Sequence, residues 1–269
     1  MIHITAERLR TVVREVFVGS GVPADMGKAR VHDMGMVAVR NCGHIGRLGE
    51  YAVQAAQAGF MGLVFSSGSA KGGIAAPYLG VSRLLNTNPI AWAVPALSHP
   101  PVFLDFATTV VSQGKIQAAI DKGSSIPEGW MLDASGSPTT DPTEQRRGGV
   151  MLTFGKHKGY CLWFLVEIRS GGLTGASCGP LPAYRPDYAT VMMAVNIAAF
   201  QPLDEFRQLA DEMIAATRAR APGVEEILVP GEPEWRSREV RLRLGVDIPE
   251  PASQRIVEAG ARCGVIVTV

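Results

Sequence analysis

The sequence predicts an α/β or α+β fold, because short apolar runs of strand length alternate with amphipathic helices along the whole chain. Of the 269 residues, 46% are hydrophobic and only 19% are charged, so the chain can form a sizeable core. No repeat of fixed period is visible. The length therefore allows one large domain or two modest ones.

The first half of the chain holds four predicted strands. Apolar residues at helical spacing predict an N-terminal helix over 5–18, and a short charged stretch, 28–33, leads from it to a β-branched run at Val37 and Val39. The elements predicted after that run are a helix over 50–58, a buried strand over 59–67, strands over 90–95 and 101–106, and a helix over 110–122.

The second half begins with glycine- and proline-rich residues over 123–149, which predict long loops. The elements predicted after these loops are a core helix over 160–169, a strand over 192–197, an amphipathic helix over 203–221, a strand over 227–229, a charged helix over 234–244 and a closing strand-helix-strand segment.

Composition and charge exclude several classes of protein. The net charge is +1 and no basic run occurs, so a nucleic-acid partner is not expected. No apolar run approaches the ~20 residues that span a bilayer, and the first residues lack the apolar centre of a secretory signal. The four cysteines form no C-x-x-C pair and no zinc spacing. We therefore expect a cytoplasmic protein with reduced thiols, no membrane partner and no metal site.

The stretch 37–51, VAVRNCGHIGRLGEY, is the strongest candidate for a functional site. A strand end, a tight turn and a helix start present His44 at the edge of the scaffold, where binding and catalytic groups often lie. If the helix has begun by Arg47, His44 and Arg47 share a face, and one can exchange a proton while the other holds an anion. The alternative is a histidine that caps the turn and an arginine in a surface salt bridge.

Further loops combine small residues with one polar side chain, as close approach of a ligand to the backbone requires. Asp105 ends a predicted strand and can accept hydrogen bonds from sugar hydroxyls, and Lys158 precedes a helix start, where phosphate is favoured. Such loops together favour a nucleotide-type ligand. No G-x-G-x-x-G follows a strand, so an ordinary Rossmann site is not supported. Ser112 and Lys115 match S-x-x-K, but the companion motifs of acyl-transfer enzymes are missing.

Six segments in order and at similar spacing resemble one known family. They are NCGHIGRLGEY, NTNPIAWAVP, LDFATTVVSQGK, IPEGWMLDASGSPTTDP, LTFGKHKGY and LVPGEPEWRSRE. From about Lys28 onward, the chain resembles the malate/L-lactate dehydrogenase-like family of non-Rossmann NAD(P)-dependent oxidoreductases. HIGRLGEY and LTFGKHKGY are most similar to its hydroxycarboxylate dehydrogenase branch.

The resemblance implies a non-Rossmann α/β nucleotide-binding fold with a mixed sheet and flanking helices, in a homodimer. It also implies hydride transfer between NAD or NADP and a 2-hydroxy or 2-oxo carboxylic acid such as malate or lactate. On this basis we divide the chain into an N-terminal helical segment over 1–36, a cofactor-binding and catalytic region over 37–200, and a C-terminal α/β segment over 201–269.

Individual residues carry over from the family by position. His44 falls on a histidine assigned to proton transfer in part of the family, which a neutral imidazole can perform near pH 7. Lys115 occupies a position that is acidic and catalytic in imino-acid reductases, so a lysine there favours the hydroxy-acid branch. Arg47 as a clamp for the substrate carboxylate is our own inference. The residues on cofactor-holding positions are Ser67, Gly68, Asp105, Phe106, Ala107, Lys158, Pro230, Gly231 and Glu232.

The chain also departs from the family pattern. Relatives carry a long segment before the HIGRLG motif that contains Ser-His-Gly and, three residues on, an arginine. Here residues 23–33 lead almost directly into the motif, and no Ser-His-Gly occurs in the sequence. Two alternatives therefore stay open, a weak or inactive dimeric homologue that retains nucleotide binding, and a cyclic imino-acid reductase. The sequence leaves the particular hydroxy acid and the choice between NAD and NADP undetermined.

Overall fold

The computed structural model describes residues 22–68, 72–183, 188–219, 223, 225–246 and 248–265. The helix predicted over 5–18 lies outside these residues. Contacts divide the chain into two units, one of residues 20–231 and one of residues 1–19 together with 232–269. The candidate site is built mainly by the first unit.

The first unit contains every described strand. In chain order the strands are β1 (Met34–Cys42), β2 (Phe60–Gly68), β3 (Ile90–Val94), β4 (Val102–Phe106), β5 (Met131–Leu132), β6 (Pro138–Thr139), β7 (Val150–Met151) and β8 (Tyr188–Asn196). The helices of the chain are α1 (Val22–His32), α2 (Leu48–Gln57), α3 (Gln113–Lys122), α4 (His157–Glu167), α5 (Leu203–Ala219), α6 (Glu232–Leu244) and α7 (Glu250–Arg262).

The main sheet has five strands in the order β1-β8-β2-β3-β4, and a small sheet has the order β6-β5-β7. The α/β class is confirmed. Neighbouring strands of the main sheet all pair antiparallel, so the mixed sheet that we expected is not observed. The last strand among the described residues, β8, lies between β1 and β2. It therefore joins the strand that precedes His44 to the strand that ends at Gly68.

Helix α2 lies directly on the main sheet because small residues line its contact with β2. Ala52, Ala55 and Ala56 are at most 2% exposed. Opposite them stands Gly62, where an added Cβ would lie 2.5 Å from the Ala52 carbonyl oxygen. This close approach fixes the start of α2, and with it the loop that carries His44, relative to the strand ends.

A second hydrophobic cluster holds the small sheet against α3 and α4. Its members are Ala75, Leu85, Val111, Ile116, Ile126, Met131, Met151 and Trp163, all at most 5% exposed. Because Ile116 lies in α3 and Trp163 in α4, their burial places the first turns of both helices beside the small sheet. Those first turns carry Lys115 and Lys158.

Several predicted elements differ from the observed ones. The charged stretch 28–33 lies mostly in α1, the predicted helix over 110–122 begins at Gln113, and β8 starts at Tyr188 rather than at 192. Residues 227–229, predicted as a strand, form none. The chain turns at Pro230, whose carbonyl oxygen accepts one hydrogen bond from the Phe103 amide at 3.3 Å. One such bond does not make a ladder.

The described part of the second unit consists of α6 and α7. Helix α6 begins at Glu232, whose carboxylate pairs with Arg236 one turn later at 2.7 Å. Among the described residues of the whole chain, every helix is too short or too polar to cross a membrane.

Candidate active site

A cavity of about 360 Å³ opens where the loop after β1, the end of β2, the segment before β3 and the start of α3 meet. This volume lies in the range of small-molecule sites, ~300–1,000 Å³. The residues that line it are His44, Ile45, Gly46, Leu48, Ser66, Ser67, Gly68, Ile74, Thr87, Pro89, Gln113, Gly114 and Tyr188. Three predicted site residues, His44, Ser67 and Gly68, are therefore brought together.

His44 is held in the cavity wall by its own loop. The Gly46 amide donates to Nδ1 at 3.0 Å, and the ring meets Tyr188 edge-on with 5.5 Å between centroids. The Tyr51 hydroxyl donates to the Ile45 carbonyl at 2.6 Å, which ties the loop to α2. Because Nδ1 accepts a hydrogen bond, the neutral ring carries its proton on Nε2.

Arg47 does not share a helical face with His44. Helix α2 begins at Leu48, and Arg47 is its N-cap residue with φ −79° and ψ 124°, an extended conformation. The expectation of a shared face is therefore wrong. The Arg47 side chain turns to β4 instead, where its Nε lies 3.4 Å from Asp105 Oδ2 and its guanidinium carbon lies 4.8 Å from the centre of the Phe103 ring.

Asp105 connects the end of β4 to the start of α2. Its Oδ2 accepts the Gly49 amide at 2.8 Å, and the side chain is 14% exposed. The first amides of a helix have no partner within the helix and carry partial positive charge, so a carboxylate there is stabilising. The Asp105 carboxylate thus has contacts within the protein in addition to any bond it makes with a sugar hydroxyl.

The predicted loops at Phe106–Ala107 and Lys158 lie side by side. The Phe154 amide donates to the Thr108 carbonyl at 3.1 Å, and the rings of Phe106 and Phe154 are 5.3 Å apart. Lys158 is exposed in the first turn of α4, next to this contact. Lys156, which precedes α4, has φ 58° and ψ −116°, a strained backbone for a residue with a side chain.

The Pro230–Gly231 turn also rests on β4. Besides the bond from the Phe103 amide to Pro230, Gly231 lies so close that an added Cβ would sit 2.5 Å from the Phe103 ring. Gly231 has φ 89°, which favours glycine independently. Glu232, the third predicted residue of this turn, begins α6 in the second unit.

Lys115 stands in the first turn of α3 and is exposed, directly after two residues that line the cavity. One of them, Gln113, exchanges two hydrogen bonds with the amide group of Gln145, at 3.1 and 2.9 Å. Sequence reasoning missed Gln113, together with Thr87, Pro89 and Tyr188. Thr87 and Pro89 lie in a segment that served only for the family resemblance, and nothing local to Gln113 or Tyr188 indicates a cavity.

The predicted residues thus form two groups. His44, Ser67 and Gly68 line the cavity, whereas Phe106, Ala107, Lys158, Pro230 and Gly231 surround β4. Two contacts join the groups. One is the bond from the Gly49 amide to Asp105, and the other is the pair of bonds, 2.9 Å each, from the Thr108 amide and hydroxyl to the Thr87 carbonyl.

A buried carboxylate stands behind the cavity wall. Glu167, at the end of α4, is 2% exposed and accepts hydrogen bonds from the Asn88 side chain and the Gly179 amide, both at 2.5 Å. Burial raises the pKa of Glu167 above its usual value, and these two bonds act in the opposite direction. Asn88 lies between Thr87 and Pro89, which both line the cavity.

Comparison with known proteins decides the family. The pattern of malate/L-lactate dehydrogenases matches residues 15–257. The chain belongs to this family. A malate dehydrogenase of Pyrococcus abyssi is 37% identical over 251 residues, which cover 88% of this chain and 68% of the relative. An L-sulfolactate dehydrogenase of Methanothermobacter thermautotrophicus is 34% identical over 236 residues, covering 86% and 67%.

The fold agrees with this malate/L-lactate dehydrogenase assignment. The crystal structure of malate dehydrogenase from Entamoeba histolytica superimposes with a TM-score of 0.83 at 27% identity, covering 93% of this chain and 74% of that one. The family, the fold and the enzyme class predicted from the sequence are therefore confirmed. The protein is an oxidoreductase of a dehydrogenase family whose members act on hydroxy acids.

Proposed function

We propose that this protein transfers hydride between NAD or NADP and a 2-hydroxy or 2-oxo carboxylic acid, with His44 as the group that exchanges the proton. The observation that carries the proposal is the position of His44 in the wall of a 360 Å³ cavity, beside Ser67 and Gly68. An imidazole in a concave site, next to small residues that admit a flat ring, suits acid-base chemistry on a bound ligand.

The residues around β4 fit a nicotinamide cofactor. Gly159 fixes the position of the first turn of α4 beside the end of β4, because an added Cβ there would lie 2.7 Å from the Thr108 carbonyl oxygen. Lys158 in that turn would hold phosphate, and Phe106, Ala107, Pro230 and Gly231 would flank the nucleoside. When bound, the cofactor supplies the carbon that gives or takes the hydride.

His44 would move the proton that accompanies the hydride. It takes the hydroxyl proton when a 2-hydroxy acid is oxidised and returns it when a 2-oxo acid is reduced. In the described conformation Nε2 carries a proton and can donate a hydrogen bond to a substrate oxygen. To take the hydroxyl proton at Nε2, the ring must first carry its own proton on Nδ1 instead, and to return a proton it must carry one on each nitrogen. In either direction the Gly46 amide must therefore release Nδ1.

We propose that Lys115 is the main cation for the substrate carboxylate. Its two preceding residues line the cavity, and it stands in the first turn of α3, where negative charge is favoured. Arg47, our other candidate, is paired with Asp105 and stacked on Phe103. Arg47 could hold a carboxylate only by leaving that pair.

The homodimer implied by the sequence has a candidate surface on α4. Its outward side exposes Leu162, Phe164 and Leu165 by 37–65%, and Ile168 just after it by 52%. Contiguous apolar patches of this kind mark interfaces, and two-fold dimers are the commonest oligomers. We expect a dimeric mass by light scattering, lost in Leu165→Glu but kept in the control Leu209→Glu on α5. A monomeric wild type would contradict the dimer.

Two measurements test the proposed activity. Thermal shift with NADH and with NADPH identifies the nucleotide that stabilises the native state. Absorbance of that nucleotide is then followed with a panel of 2-oxo acids, with His44→Ala, and with His32→Ala as an exposed control. We expect turnover that His44→Ala abolishes and His32→Ala keeps. Nucleotide binding without turnover on any acid would instead identify an inactive homologue, and turnover of a cyclic imine alone would identify an imino-acid reductase.

A further inference from the structure

We infer that Glu167 is a positioning residue of this active site, whose buried carboxylate holds the Thr87–Pro89 wall of the cavity in place. The inference rests on the proposed function and adds a residue outside the cavity to it. Neither the sequence motifs nor the cavity lining assigns a role to Glu167, which lies inside an otherwise apolar stretch of α4.

The first step is the contact with Asn88. This residue is 0% exposed and has φ 36°, a left-handed backbone that asparagine tolerates better than most residues. Its side-chain nitrogen donates to Glu167 Oε2 at 2.5 Å. Because Asn88 sits between two lining residues, a change in its backbone would move Thr87 and Pro89 together.

The second contact is made by the other oxygen of the Glu167 carboxylate. Glu167 Oε1 accepts the Gly179 amide at 2.5 Å, so the loop around Gly179 is fixed by the same group. Helix α4 changes directly after Glu167 into one turn of π-helix, Ile168–Gly172. Such turns are frequent at functional sites.

The π-helical turn leads back to the cavity. It brings Gly171 against β2, where an added Cβ would lie 3.3 Å from the Ser67 hydroxyl and 2.3 Å from the Ser177 carbonyl oxygen. Ser67 also lines the cavity, but it lies in β2 and not in the Thr87–Pro89 segment. Glu167 and the turn that follows it therefore touch two separate parts of the wall.

Burial of a carboxylate without a cationic partner costs stability. The presence of Glu167 at this buried position therefore calls for a reason other than stability. None of the ion pairs formed among the described residues involves Glu167. Outer groups that orient a site typically change activity by ~10–100-fold when they are removed.

The test compares two changes at Glu167 with a matched control. Glu167→Leu removes both hydrogen bonds, and we expect kcat/KM to fall about tenfold or more. Val166→Ala, at the neighbouring buried position of α4, creates a core defect and leaves both hydrogen bonds of Glu167 in place. We expect it to keep wild-type kcat/KM below its melting temperature. Glu167→Gln keeps an acceptor for Gly179, and its amide can donate to Asn88 Oδ1, which has no hydrogen-bond partner in the described structure. We expect this variant to retain most activity.

Variants that exchange the carboxylate and the amide between positions 88 and 167 keep the inference testable if Glu167→Leu does not fold. Asn88→Asp alone places two carboxylates against each other and should lose activity. Asn88→Asp combined with Glu167→Gln restores one donor and one acceptor, and should recover most of it. Equal activity of Asn88→Asp and the double variant would overturn the role of Glu167, as would wild-type kcat/KM in Glu167→Leu.

Amide hydrogen exchange separates this inference from the proposed function. Exchange at Gly179 and in peptides that cover 85–90 needs no turnover, and we expect it to accelerate in Glu167→Leu but not in Val166→Ala. A wild-type chain without turnover would defeat the proposed function only. Unchanged exchange in Glu167→Leu would defeat the role of Glu167 whether or not the chain is active.

Discussion

The Gly49 amide donates to the Asp105 carboxylate across 2.8 Å, although 56 residues separate the two in sequence. This bond connects the first turn of α2 to the last residues of β4. Because α2 follows the His44 loop and β4 ends at Phe106, directly before Ala107, one carboxylate connects both parts of the candidate site.

Asp105→Ala should destabilise the protein by about 1–2 kcal/mol, because the Gly49 amide and the Arg47 guanidinium both lose their acceptor. Asp105→Asn keeps an acceptor and loses only the charge, so its cost should be smaller. Urea unfolding at neutral pH measures both. Glu50→Gln, an exposed change in the same turn, serves as control, and a loss of equal size there would show that general helix charge explains the effect.

The buried carboxyl of Asp25 makes stability depend on pH. Burial raises the pKa of Asp25 from 3.8 to about 6, although the bond from the Met26 amide lowers it. A raised pKa means that the contribution of this group is complete below pH 3.8 and is lost as the pH rises through about 6. Asp25→Asn should therefore raise the free energy of unfolding at pH 7, by at most about 3 kcal/mol.

That gain should shrink to nothing below pH 4, where wild-type Asp25 is protonated in both states. The measurement is urea unfolding of wild type and variant across this range of pH. Asp33→Asn, at an exposed position, should show neither the gain nor its pH dependence. A gain that persists unchanged at low pH would contradict the titration of Asp25.

The lowered pKa of Asp211 predicts the opposite dependence of stability on pH. Hydrogen bonds from Ser98, first its hydroxyl and then its amide, hold the pKa of Asp211 at about 2, and His99 and the Leu97 amide add to them. A lowered pKa gives stability that is complete above 3.8 and lost as the pH falls toward about 2.

Asp211→Asn should thus cost stability at pH 7, by at most about 2 kcal/mol because the site is partly solvated, and should cost less as the solution is acidified. Chemical unfolding from pH 7 down to pH 3 tests it. Asp204→Asn, which breaks an exposed pair with Arg207 in the same helix, is the matched control and should change little at any pH. Equal losses of stability in Asp211→Asn and Asp204→Asn would refute the stabilising role of the Asp211 hydrogen bonds.

Gly159 should be irreplaceable for steric reasons. An alanine there would place its Cβ within 2.4–2.7 Å of two backbone carbonyl oxygens, those of Phe154 and Thr108. We expect Gly159→Ala to destabilise by about 2 kcal/mol or more. Gly27→Ala in α1, where nothing lies within 4 Å, should instead stabilise by about 0.5–1 kcal/mol. The melting temperatures of the two variants measure both effects. A Gly159→Ala variant as stable as the wild type would contradict the close contact at α4.

Local signals predicted the elements around His44 well. The β-branched Val37 and Val39 lie in β1 and the helix predicted over 50–58 is observed as α2. Strand β1 continues through Cys42, so the loop begins at Gly43 and the turn predicted at Asn41 is wrong. The order of strands in the sheet was beyond such reasoning, because the pairing of β8 with β1 and β2 depends on contacts between residues far apart in sequence. The prediction of a strand at 227–229 was wrong for the same reason, because no described strand pairs with these residues.

The candidate site was predictable only in part. His44 was found from the strand end, turn and helix start around it, whereas Ser67 and Gly68 came only from the resemblance to the family. Arg47 was expected to face a ligand, but Asp105 and Phe103 engage it from another strand. For Glu167 a signal did exist. A single carboxylate within the apolar run CLWFLVEI is expected to have buried hydrogen-bond donors, and the structure supplies them in Asn88 and Gly179.

The position of β8 in the middle of the sheet also governs how the chain can fold. During synthesis, β1, β2, β3 and β4 leave the ribosome before residue 188, but β1 and β2 acquire their common neighbour only when β8 follows. Pairings of such sequence separation slow folding, and until they form the inner edges of β1 and β2 remain available to other chains. Completion of the site therefore waits for the last strand, and a nascent chain that is released earlier would be prone to aggregation.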